Sequence, residues 1–129
     1  MFALAFAPSP YLLSGDSTLA QLYLGFNGRL TRRSFWLHGV LGLTVFSLVA
    51  MALFEIAGMA PERAEATANL LIVWPLLAIS AKRWHDRNLS GWLALLLLLP
   101  VVGQLIALVV NGFLRGTPGE NRFGPAPQR

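Results

Sequence analysis

The chain has no cysteine among its 129 residues. Disulfides, thiol catalysis and cysteine-held metals are excluded with it. Charge is nearly as scarce. Asp, Glu, Lys and Arg together make 12% of the chain, about half the usual share for a soluble domain. The 6 acidic residues and 2 histidines show no metal-ligand spacing, so no metal or cofactor is expected. A continuous basic stripe is also missing, because the 10 Lys and Arg residues fall in short groups beside apolar runs. That grouping suits membrane orientation and anionic head groups, and argues against a nucleic-acid face.

What is abundant is apolar sequence, at 55% of the chain. A single domain of this size in water would leave large apolar patches uncovered. Three charge-poor runs account for the excess. Ser34 to Phe54 carries no formal charge, and a helix of that length reaches about 31 Å, enough to cross a bilayer core. Arg29, Arg32 and Arg33 precede it, Glu55 closes it, and Phe35 and Trp36 sit where an aromatic belt is expected. A second helix is predicted from near Pro61, with Glu62 and Glu65 at the positive end of its dipole. It is uncharged from Ala66 to Ala81 and interrupted by Pro75, where the neighbouring Trp74 is expected to pack against a kink. The other tryptophans, Trp36, Trp84 and Trp92, are expected at the membrane surface.

The third run, Asn88 to Leu114, would make a straight helix of about 40 Å, too long for one crossing. Pro100-Val101-Val102-Gly103 interrupts it. One reading is a single long kinked helix; the other is a re-entrant hairpin. Backbone economy favours the first, since non-helical backbone at depth needs protein or water around it, and charge placement favours the second. With Arg29, Arg32, Arg33, Lys82, Arg83 and Arg87 inside, a straight third helix sends Arg115, Arg122 and Arg129 outside to join Arg63. A hairpin keeps them inside, as the positive-inside rule prefers. The prediction is an all-α polytopic membrane bundle of three hydrophobic segments, the third broken at Pro100–Gly103 and countable as two helices. Its amino terminus is expected in the cytoplasm. Residues 1–25 form an apolar or interfacial segment, 26–127 one membrane domain and 128–129 the end of the chain. Met1 to Leu13 lacks a basic start and contains Pro8 and Pro10, so no cleaved signal peptide is expected. Ser17 to Phe26 carries Leu19, Leu22, Tyr23 and Phe26 at helical spacing, as a short interfacial helix would.

Between the second and third runs lies Lys82-Arg83-Trp84-His85-Asp86-Arg87-Asn88, read as a surface connector. His85 and Asp86 suit acid–base work by residue type, but adjacent positions on a helix do not face each other. Lys82 and Asp86 have the spacing of an ion pair. His38 lies one turn inside the first run, and Gln104 and Asn111 are two turns apart on the third, where polar groups bridge helices or line a path.

Three segments together resemble a known family: Gly28-Arg29-Leu30-Thr31-Arg32-Arg33-Ser34-Phe35-Trp36, then Lys82 through Trp92, then Gly116-Thr117-Pro118-Gly119-Glu120-Asn121-Arg122-Phe123-Gly124. Their order and spacing are similar to the bacterial inner-membrane proteins catalogued as domain of unknown function family 805. The resemblance runs from about Phe26 to Pro127. It implies a small multi-pass protein of the bacterial inner membrane and supplies no mechanism. Glu120 is expected to pair with Arg32, Arg33 or Arg87 and so tie the segments into one polar layer. That layer comprises Arg29, Arg32, Arg33, Lys82, Arg83, His85, Asp86, Arg87, Glu120, Asn121 and Arg122. The expected function is a non-enzymatic membrane module binding anionic head groups or a membrane-protein partner, with homo-oligomers open. The alternatives are a subunit of an oligomeric channel or transporter using Gln104, Asn111 and His38, and a membrane enzyme using His85 and Asp86.

Overall fold

The computed structural model describes residues 19–127. The expectations for Met1 to Leu13 and for residues 128–129 fall outside the described residues, as do Ser17 and Thr18 of the interfacial stretch. Within them the chain is all-helical, with one isolated bridge between Asn121 and Gly124. Helix α1, Leu19–Leu24, lies in the stretch with amphipathic spacing and buries Leu22.

Helix α2, Arg32–Ile56, begins where Thr31 stops being extended and caps it. The Thr31 hydroxyl accepts the Ser34 N–H at 3.1 Å, satisfying a donor that no helical carbonyl can reach. From Phe35 to Gly42 the helix widens into π winding. Gly39 lies in this wide turn, where a Cβ would stand 3.1 Å from Ile79 Cγ2, so its small size lets the neighbouring helix approach. The far end closes with Gly58 at φ 98°. Gly58 N–H donates to Glu55 and Met59 N–H to Phe54, both at 2.9 Å, which satisfies the last carbonyls and reverses the chain.

Helix α3, Pro61–Asp86, starts with its proline in the first turn and Glu62 beside it, as expected. Both α2 and α3 are long and apolar enough to cross a membrane by length and composition. Ala64, Ala68 and Ala78 are buried along α3, and these small side chains permit close packing. Pro75 is carried inside the helix without ending it. Trp74 does not pack on a kink, contrary to expectation. Its Nε1 donates to the Leu24 carbonyl at 3.0 Å, and its ring meets Phe26 edge-on at 4.9 Å, pinning the end of α1. Trp84 departs from its expected surface position too: it is buried against Ala81, Ala94 and Ala107.

The third run is a broken hairpin. A 3-10 helix, Gly91–Leu98, is followed by a turn and by α4, Val102–Phe113. The arms rise about 16 Å and 18 Å, each roughly half a bilayer core. Pro100 holds Leu99 in an extended conformation. Val101 takes φ 61° and ψ −70°, and Val102 N–H donates back to Pro100 O at 2.7 Å. That is a γ-turn, a strained conformation for a β-branched residue. The arms then touch at Gly103, where a Cβ would lie 1.9 Å from Leu96 O. Gly103→Ala should therefore cost about 2–3 kcal/mol by forcing the arms apart. Thermal melting in mild detergent checks this, with Val101→Gly expected to stabilise by about 1 kcal/mol.

Leu22, Leu30, Phe35, Leu43 and Ile79 form one core between α1, α2 and α3. A second core joins α3 to the hairpin. The outward faces carry Leu41, Val45, Leu48, Val49, Leu53, Leu70 and Ile106, all exposed. Such a surface matches hydrocarbon as solvent.

Candidate functional site

At one end of the bundle α1, α3 and α4 finish and α2 begins. Helix C-termini leave carbonyls without partners and carry partial negative charge. The basic residues of the sequence motifs answer both needs. Lys82 Nζ donates to the carbonyls of Gln21 (2.7 Å) and Leu22 (2.5 Å) in α1. Arg83 reaches α4, donating through Nε to Asn111 O at 2.6 Å and through its other nitrogens to Leu114 O at 2.8 Å and Leu30 O at 3.1 Å. Arg32 donates to Phe113 O at 2.9 Å and Trp36 to Gly112 O at 2.8 Å. Arg87 donates to Arg115 O at 2.7 Å.

The centre is Asp86. One carboxylate oxygen meets the Arg29 guanidinium at 2.9 Å, and the other meets Arg83 at 2.6 Å. Relative exposure is 2% for Arg29 and 0% for Lys82, Arg83 and Asp86. Arg29, Lys82, Arg83 and Asp86 are thus buried together, where the converging helix C-termini favour the basic side chains. Arg29 also gathers the tail, donating to the carbonyls of Thr117 (2.5 Å), Gly119 (2.6 Å) and Gly124 (3.2 Å). Thr117 N–H returns a bond to Asp86 O at 2.6 Å.

His85 occupies the rim. Its Nδ1 lies 2.9 Å from Gly28 O, so that nitrogen carries a proton and donates. The ring stacks on Phe123 at 3.9 Å, with Arg122 above the far aromatic ring at 4.8 Å. Asn121 donates to His85 O at 3.0 Å, and Arg122 bonds Asn88 through its backbone and side chain. His85 and Asp86 have separate partners, in line with their helical geometry.

The three motifs therefore do meet, but several details differ from expectation. Lys82 through Asp86 is the last part of α3, so the polar connector shrinks to the residues after it. Lys82 and Asp86 are not partners, because α1 holds the lysine and two arginines hold the carboxylate. Glu120 is exposed and makes no ion pair among the described residues; backbone carbonyls tie the tail instead. Arg33 is exposed, and its side chain has no partner among the described residues. Of the two amides expected to bridge helices or line a path, Gln104 is exposed and bonds Leu97 O of the other hairpin arm at 3.4 Å, while Asn111 is fully buried. His38 is half-buried on α2, and its backbone carbonyl accepts from Tyr23 at 3.4 Å.

Two glycines escaped the sequence reading. A Cβ on Gly91 would stand 2.6 Å from His85 Nε2, and one on Gly116 would stand 1.9 Å from Asp86 Oδ2. Gly91 lies within the second motif segment and Gly116 begins the third, which is the signal the sequence carries.

The sequence profile of the family described as "Protein of unknown function (DUF805)" matches residues 23–125, which holds all three segments of the layer. The chain belongs to the DUF805 family. It is 37% identical over 110 residues to Inner membrane protein YhaH of Escherichia coli (strain K12), covering 82% of this chain and 89% of that protein. Inner membrane protein YhaI of the same organism is 32% identical over 106 residues, covering 82% and 88%. Uncharacterized protein YiiR is 30% identical over 137 residues, covering 86% and 91%. No solved structure matches the chain. The DUF805 relatives and the two long apolar helices make this an inner-membrane protein. In this DUF805 chain, the motif residues build the joint at which the helices and tail meet.

Proposed function

We propose that the protein is a non-enzymatic module of the inner membrane whose basic end faces the cytoplasm and binds anionic lipid head groups. The observation that carries this reading is how charge divides between the two ends. Arg33, Arg115 and Arg122 are exposed at the end where the motifs meet, with Arg32 and Arg87 half-buried beside them. Glu55, Glu62 and Glu65 are exposed at the other end, with Arg63. The positive-inside rule turns this asymmetry into an orientation, with the amino terminus, the Asn88 turn and the tail all cytoplasmic. The acid–base candidates support a non-catalytic role, since Asp86 is enclosed by two arginines and His85 is held by Gly28 and Phe123.

The head-group contacts fall to the exposed arginines, because Arg29, Lys82 and Arg83 are committed to backbone and Asp86. Each basic residue near an anionic surface contributes about 1 kcal/mol. Neutralising Arg33, Arg115 and Arg122 together to Gln should therefore abolish most of the preference for phosphatidylglycerol over phosphatidylcholine in purified protein. Lipid analysis by native mass spectrometry gives the readout. An unchanged lipid ratio would count against the reading.

A further inference from the structure

The outer face of α2 carries a shallow, open groove lined by Arg33, Trp36, Leu37, Val40, Leu41 and Thr44. All six belong to α2, with the only charge among them at the basic end. We propose that this groove holds one acyl chain of an anionic phospholipid, whose phosphate pairs with Arg33. The proposal rests on the lipid-binding reading and assigns it a discrete site.

Length supports this occupant. From Arg33 to Thr44 the helix rises at most about 16 Å, within the half-thickness of a bilayer core that one acyl chain spans. Charge supports it as well. Arg33 stands where α2 enters its uncharged stretch, and its guanidinium has no partner among the described residues. Of the acidic residues at this end, Asp86 is enclosed by Arg29 and Arg83, and Glu120 makes no ion pair among the described residues. A phosphate is then the natural counter-ion for Arg33.

The groove wall is fixed rather than adaptable. Trp36 is anchored to Gly112 O at 2.8 Å and packs edge-on against Phe113 at 5.5 Å. A Cβ on Gly112 would come within 2.7 Å of the indole, so the ring and α4 are already in close contact. At the deep end the Thr44 hydroxyl is spent on Val40 O at 2.6 Å, so the groove there does not offer an unpaired donor to the chain. Arg32 is committed to Phe113 O, which leaves Arg33 to meet the head group.

The test uses the whole purified protein, with dioleoylphosphatidylglycerol as probe and dioleoylphosphatidylcholine as competitor, read by native mass spectrometry. Wild type should retain one phosphatidylglycerol per chain. Arg33→Gln should weaken that retention about fivefold, the factor given by about 1 kcal/mol per basic residue, without lowering the melting temperature. Arg63→Gln, exposed at the opposite end of the bundle, should leave it within about twofold. Deacylated glycerophosphoglycerol should not displace the lipid, because it lacks the chain. Retention unchanged in Arg33→Gln, or displacement by the deacylated head group, would overturn this site while sparing the broader reading. A wild type with no preference for phosphatidylglycerol would overturn both.

Discussion

Replacing Asp86 with Ala is expected to cost about 3–5 kcal/mol, enough to deplete the protein from membranes. The carboxylate is fully buried and is the counter-ion of both Arg29 and Arg83. Removing it leaves two guanidinium groups facing each other with no anion between them. Their carbonyl partners satisfy hydrogen bonds but carry only partial charge. Asp86→Asn keeps the volume and should recover only part of the loss, because it restores a hydrogen-bond acceptor without the charge. Thermal melting in mild detergent measures both variants. Arg122→Gln provides the scale, since that side chain is exposed, and it should change stability by less than about 0.5 kcal/mol. A melting temperature for Asp86→Ala equal to that of Arg122→Gln would contradict the buried layer.

Gly116→Ala should be the next most damaging change, at about 3 kcal/mol. The added methyl would stand 1.9 Å from Asp86 Oδ2 and 2.3 Å from its Cγ. Asp86 cannot retreat, since arginines grip both of its oxygens. The tail must lift instead, which withdraws the Thr117 and Gly119 carbonyls from Arg29. Gly119 lies on the same tail and gives a control of a different kind. Its φ is +69°, but nothing lies within 4 Å of a Cβ there, so Gly119→Ala pays backbone strain alone, about 1 kcal/mol. Similar losses at the two glycines would show that crowding against Asp86 is not what matters at Gly116.

Much of the architecture was legible in local chemistry. Pro61 and Glu62 mark a helix start, Glu55 lies one residue before the end of α2, and Pro100 to Gly103 breaks the third run. The convergence of the three motifs followed from charge placement. Their burial did not. Lys82-Arg83-Trp84-His85-Asp86 looks like a surface connector because four of its side chains can carry charge. Its main partners are carbonyls at the ends of α1 and α4, and a backbone acceptor leaves no mark in sequence. Glu120 was overvalued for the converse reason: it is a formal charge close to arginines in the motif pattern, but the tail bonds through its backbone. The role proposed for Arg33 emerges only once its neighbours Arg29 and Arg32 are seen to be committed elsewhere.

Site-specific thiol labelling tests the shared layer most directly, and the chain's 0 cysteines make each introduced thiol unique. Arg33→Cys, Arg122→Cys and Glu62→Cys, all at exposed positions, would be treated with a membrane-impermeant maleimide in intact spheroplasts and in inverted vesicles. The account predicts that the thiols at 33 and 122 react only in inverted vesicles and the thiol at 62 only in spheroplasts. Labelling of position 122 on the same side as position 62 would contradict it, because the tail would then lie across the membrane from the residues it is said to join.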